Sequence, residues 1–159
     1  MTPDVPLTLH RETVQPDWID YNGHLNEAYY LLIFSHATDA FMDEVGLHDA
    51  YRRANGISVY TLETHISYID EVGEGAEVRV ATTLLDLDEK RFHLFHAMYD
   101  GDRLLSEAEC MLLHVDMSGP KAAPFAPEIA AKLQAVFAAH SKLPRPARAG
   151  RSIGIRRKS

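Results

Sequence analysis

Cysteine is nearly missing from this chain: Cys110 is the only one among 159 residues. An internal disulfide is therefore impossible, which suits a reducing compartment. Cys110 falls in the apolar run Cys110 to Leu113, the setting of a buried structural thiol rather than a nucleophile. No apolar stretch is long enough to span a bilayer. Near the N-terminus, Pro3, Asp4 and Pro6 stand where a secretory leader would need an apolar core, so a cytoplasmic protein is expected. The chain also lacks a Gly-x-Ser-x-Gly elbow, a Walker loop and a dinucleotide glycine fingerprint. Histidines are numerous, among them His24, His36, His48, His65, His93, His96 and His114, yet none has zinc-ligand spacing. His93 and His96 are an odd step apart on a presumed strand and should face opposite sides. No metal and no cofactor is expected, and a metal site could arise only by long-range assembly.

Positive charge is scarce in most of the chain. Residues 1–141 hold nine basic and 23 acidic residues, a net −14. Segment 142–159 holds the other seven basic residues and no acid. An acidic body excludes nucleic acid as the main partner, because phosphate affinity needs a basic surface. The basic tail could bind a small phosphate-bearing ligand or lie on its own acidic body.

What is present organises itself as one domain. Leu7 and Leu9 alternate with Thr8, His10 and Glu12, the pattern of a half-buried strand over 7–14 that Pro16 ends. Residues 26–45 form a long helix whose inner side is predicted as Tyr29, Leu32, Ile33, His36, Ala37, Ala40, Phe41 and Val45, closed by Gly46. Leu31 and Phe34 make the opposite side apolar too, so the helix should be wrapped. A short helical turn over 48–55 follows. Strands are predicted over 57–69, 76–87, 91–99 and 103–115, with short connections that imply a four-stranded antiparallel meander. Ile129, Leu133, Val136 and Phe137 are spaced for a C-terminal amphipathic helix. This gives an α+β domain over 1–140, its sheet curled around one helix, and a Pro/Arg/Gly-rich tail over 141–159.

Between the first strand and the long helix lies Asp17 to Asn26. Asn22 and Gly23 signal a turn, and Asn26 is a good N-cap. The loop would aim Asp20 back toward a helix N-terminus, where free N–H groups and the dipole can hold developing negative charge. In strand 57–69, Thr61, Glu63 and His65 share a face by period two and suggest a lined polar site.

The loop Asp20 to Asn26 in this element order resembles the hotdog-fold thioesterases of the 4-hydroxybenzoyl-CoA thioesterase-like group. In that group an Asp-x-x-Gly turn carries the catalytic carboxylate before the central helix, and Asp20 and Gly23 match it. Blocks at 16–24, 60–65, 88–91, 93–96 and 111–116 resemble the betainyl-CoA thioesterases of carnitine breakdown more narrowly. The resemblance covers residues 7 to about 116. It departs at Trp18, where many hotdog thioesterases carry another Asp.

The resemblance implies a long central helix wrapped by a five- or six-stranded antiparallel sheet, in a homodimer or tetramer with the site at the subunit boundary. It implies hydrolysis of a small acyl-CoA, with Asp20 as nucleophile or general base. The Glu27 N–H would polarise the carbonyl, Asn26 would hold the helix start and His24 would orient the loop. Trp18, Tyr21, Tyr60, Glu63, His65 and Tyr68 would bind substrate, with aromatic faces and Glu63 around a quaternary ammonium. Arg148, Arg151, Arg156 and Arg157 would meet the CoA phosphates. Another acyl specificity, or a non-hydrolytic dehydratase or ligand-binding relative, is the alternative.

Overall fold

Alternating apolar residues and turn glycines divide the chain much as that pattern suggests. The computed structural model describes residues 5–158. In order it has β1 (Leu7–Thr13), a 3-10 turn (Pro16–Trp18), α1 (Glu27–Glu44), α2 (Asp49–Asn55) and β2 (Ile57–Tyr68). Then come β3 (Glu77–Leu87), β4 (Arg91–Asp100), β5 (Arg103–Asp116), the short β6 (Lys121–Ala122) and α3 (Pro127–His140). His48 caps α2 through its ring nitrogen, and Gly56 closes it with φ +59°. Pro127 opens α3, where a missing N–H costs nothing.

The strand order corrects the meander. β3, β4 and β5 are consecutive neighbours, but the sheet runs β1-β3-β4-β5-β2. β2 pairs with β5 at one edge, and β1 takes the place beside β3. The connection from Tyr68 to Glu77 is too long for a tight hairpin and buries Val72. It crosses the N-terminal end of α1, where Val72 O accepts from Leu25 N–H at 2.8 Å and Asp70 O from Tyr30 Oη at 3.2 Å.

α1 lies against the sheet with Tyr30, Ile33, Phe34, Ala37, Thr38, Phe41 and Met42 buried. The buried stripe is therefore turned by about one residue from the predicted one. Tyr29, Leu32, His36 and Ala40 are only half-buried, and Leu31 is exposed. A buried hydrogen bond sets this rotation: Thr38 Oγ1 lies 3.0 Å from His96 Nε2 on β4 and donates to Phe34 O. Two core clusters follow. One gathers Phe41, Phe92, Leu94 and Leu112 with Ile129 and Leu133 of α3, and the other gathers Ile33, Phe34, Val78, Val80, Met98 and Leu105. Fully burying each such side chain is worth about 1.5–3 kcal/mol.

Two register shifts matter for the site. One in β1, between Leu7 and His10, turns His10 and Glu12 toward α1. One in β2, between Thr61 and Glu63, breaks the expected common face. Thr61 and Thr64 face the groove beside α1, whereas Glu63 and His65 lie on the outer face of the sheet.

Candidate active site

The loop before α1 is held by its backbone. Ile19 and Leu25 form an isolated bridge, Asp20 N–H donates to His24 O at 3.0 Å, and Gly23 N–H donates to Asp20 O at 3.0 Å. Gly23 has φ +80°, a conformation an L side chain resists. The Asp20 carboxylate accepts from Asn22 N–H at 2.8 Å, so its own loop orients it. Asn26 N–H donates to Trp18 O at 2.9 Å, which ties the start of the loop to the start of the helix.

The first turn of α1 disposes of its free N–H groups unevenly. Asn26 Oδ1 takes Ala28 N–H at 2.9 Å, and Asn26 O takes Tyr29 N–H at 3.0 Å. Among the described residues, no acceptor takes the Glu27 N–H. Asp20 and Glu27 line one open cleft of about 360 Å³ with Tyr30, Tyr68, Asp70 and Glu71. The cleft thus sets a carboxylate beside an unclaimed donor at the positive end of a helix dipole.

The other wall is built by the crossover and the end of β2. Tyr68 Oη donates to Glu27 O at 3.0 Å, and its ring meets Tyr30 edge-on at 5.2 Å. Burial raises both phenol pKa values, helped at Tyr30 by Asp70 and at Tyr68 by Glu27, so both stay protonated donors. Arg103 bonds Asp70 at 3.0 Å and holds its carboxyl below the usual range. His24 Nδ1 stands 3.5 Å from Glu71 Oε2, joining the loop to the crossover. Asp70 and Glu71 are lining residues that the sequence reading misses. The length of the Tyr68 to Glu77 connection is the signal that could have found them.

Of the proposed substrate contacts, Tyr68 lies in the cleft. Tyr21 is 98% exposed beside Asp20. Trp18 is half-buried, stacks on Tyr29 at 5.4 Å with 15° between the planes and packs against the second core cluster. Tyr60 lies near the other end of β2, about 26 Å from Tyr68 at ~3.3 Å per residue, and bonds Met117 Sδ. Glu63 and His65 share an outer-face pocket with His93, Glu109 and the tail. The bulge puts them there, so within this chain they do not join Asp20.

The tail lies on the outer face rather than in the cleft. Arg148 pairs with Glu107 at 3.0 Å, and Gly150 N–H donates to Glu109 Oε1 at 2.7 Å. That carboxylate engagement takes Arg148 away from phosphate. Arg151 lines the outer pocket, and Arg156 and Arg157 are exposed. Cys110 is buried, and burial pushes its thiol up to about 12, which removes it as a nucleophile at neutral pH. No helix among the described residues is long and apolar enough to cross a membrane.

Residues 14–133 match the family model of the thioesterase-like superfamily. The chain is 48% identical over 151 residues to a betainyl-CoA thioesterase of Pseudomonas aeruginosa, covering 94% of this chain and 95% of that one. A solved Pseudomonas putida structure is 43% identical, with a TM-score of 0.83 over 96% of this chain and 98% of its own. A Staphylococcus aureus protein solved in complex with CoA superposes with a TM-score of 0.89 at 27% identity, over 96% of this chain and 98% of its own.

Proposed function

The chain belongs to the thioesterase-like superfamily and has its hotdog fold, and from that premise we propose that it hydrolyses betainyl-CoA to glycine betaine and CoA in carnitine catabolism. Hydrolysis of an acyl-CoA thioester is what the family and the named relative share. The observation that favours this acyl group is the cleft beside Asp20, where Tyr30 and Tyr68 stand with Glu27 and Glu71. A quaternary ammonium has no N–H to donate, so hydrogen bonds cannot hold it. Aromatic faces and carboxylates can.

In the proposed reaction the thioester carbonyl sits between Asp20 and the N-terminus of α1. Asp20 either attacks the carbonyl carbon or draws a proton from an attacking water. Both routes need its negative charge. The carbonyl oxygen becomes an oxyanion, which the Glu27 N–H and the helix dipole would stabilise. Collapse breaks the C–S bond and releases CoA as its thiolate. Direct attack leaves an anhydride that water then opens. No Ser or Cys nucleophile is required.

We also propose a homodimer with sites at the subunit boundary. The edge strand β2 exposes Tyr60, Leu62 and Tyr68, and such an edge calls for a partner. A groove of about 400 Å³ between β2 and α1, with Leu31 and Asp39 at its lining, opens along the same flank. Light scattering at micromolar protein should give twice the 17.8 kDa mass of one chain. A monomer there overturns the dimer.

The acyl preference has its own test. Betainyl-CoA and its uncharged isostere, 3,3-dimethylbutanoyl-CoA, differ in one atom of the acyl end, nitrogen against carbon. Wild type should prefer the cation in kcat/KM. Tyr68→Leu should shrink that preference about 5- to 30-fold, the equivalent of about 1–2 kcal/mol from one ring. Tyr68→Phe keeps the ring and should retain it. Equal rates on both substrates in wild type refute the cation pocket and leave hydrolysis standing.

A further inference from the structure

Outside the cleft, the inner faces of β1 and α1 bring three ligating side chains together. Glu12 Oε2 lies 2.8 Å from His10 Nε2 and 2.8 Å from His36 Nδ1, and Glu12 Oε1 lies 3.1 Å from His36 Nδ1. All three ligand atoms fall within 4.8 Å of one another. We propose that His10, Glu12 and His36 form a divalent transition-metal site of the zinc class, tying β1 to α1.

The geometry is close to what such an ion needs. Ligands about 2.0–2.1 Å from a tetrahedral centre stand roughly 3.3 Å apart. From 2.8 Å, each Glu12-to-imidazole distance opens by about 0.5 Å to reach that spacing. Two imidazoles and one carboxylate favour zinc over magnesium or calcium, which want oxygen ligands. Three protein ligands leave a fourth position, and His36 is 37% exposed, which gives an ion and a water a way in. The site would also clip residues 13–35 at both ends, and that stretch carries Asp20.

The tag-free full chain, stripped with a chelator and dialysed, is titrated with ZnCl₂ by calorimetry. One ion per chain should bind with micromolar affinity or better, and Mg²⁺ should not compete. His36→Asn and Glu12→Gln should each weaken binding at least ~10-fold. Zinc should raise Tm in wild type and leave His36→Asn unmoved, which separates ligation from a folding defect. Affinity weaker than about 100 µM, or equal affinity in the His10→Asn/His36→Asn double variant, overturns the site.

Discussion

Asp20→Asn is expected to lower kcat about 100- to 10,000-fold while the protein stays folded, the usual cost of losing a positioned base. In barrier terms that is about 2.7–5.5 kcal/mol. The loss follows from charge, not shape. An Asn keeps the side-chain oxygen that accepts from Asn22 N–H, so the local turn can persist. The loop's other ties are backbone bonds: Asp20 N–H to His24 O, Leu25 N–H to Val72 O and Asn26 N–H to Trp18 O. None involves the carboxylate. What disappears is the negative charge that the proposed reaction uses to attack the carbonyl or to take a proton from water. KM should change much less than kcat, because the cleft walls are untouched. Release of CoA thiol, read with a thiol reagent beside a circular dichroism spectrum, is the measurement. A well-folded variant with near-normal turnover would remove Asp20 from the chemistry.

The second large effect concerns acid. His96 is buried between Thr38 and Thr82, with its ring nitrogens 3.0 and 2.9 Å from their hydroxyls. Burial pulls its pKa from 6.5 to about 3. The folded protein therefore keeps His96 neutral where the unfolded chain would protonate it. Below pH ~6.5 the unfolded state binds more protons, so stability falls with falling pH until the folded pKa is reached. Each pH unit across that window costs about 1.4 kcal/mol. Between pH 7.5 and 4.5 the loss from this one group should be about 2–3 kcal/mol. His140, also held low by burial, works in the same direction. His96→Gln offers a donor and an acceptor without a titrating ring. Urea unfolding at one protein concentration and two pH values compares the pair. The variant should be less stable at pH 7.5 and lose about 2–3 kcal/mol less than wild type on acidification. Parallel losses in both proteins would show that His96 does not titrate on unfolding.

The carboxylates show why that comparison needs a variant. Arg91 holds the Asp88 carboxyl low and Arg103 does the same for Asp70. A depressed carboxyl adds stability above its unfolded pKa that is lost as pH falls through the folded one. These groups titrate mainly below the window in which His96 acts, but both are exposed and add a background. Subtracting His96→Gln from wild type cancels it.

Most of the chain's local structure was legible in its residues. The ends of α1, the Gly23 turn and the Asn26 cap all depend on neighbours within a few positions. Periodicity and turn chemistry report on that range directly. The placement of Asp20 before a capped helix was readable for the same reason. The burial of Cys110 was too, because an apolar run on a central strand has few other places to go.

What lies opposite what came from packing over the whole chain. Strand pairing is a contest between distant segments, and the short connections from β3 to β5 gave no hint that β2 would cross to the far edge. Two inserted residues then reversed side-chain directions. The bulge in β2 carried Glu63 and His65 to the outer face, and the one in β1 turned His10 and Glu12 toward His36. A strand alternates with period two, so one extra residue flips everything beyond it, and no local propensity forecasts that flip. Local residue chemistry defined the elements and the loop that carries Asp20. The crossover, the bulges and the Thr38–His96 contact decided the walls around it, because those arise from packing among residues far apart in the chain.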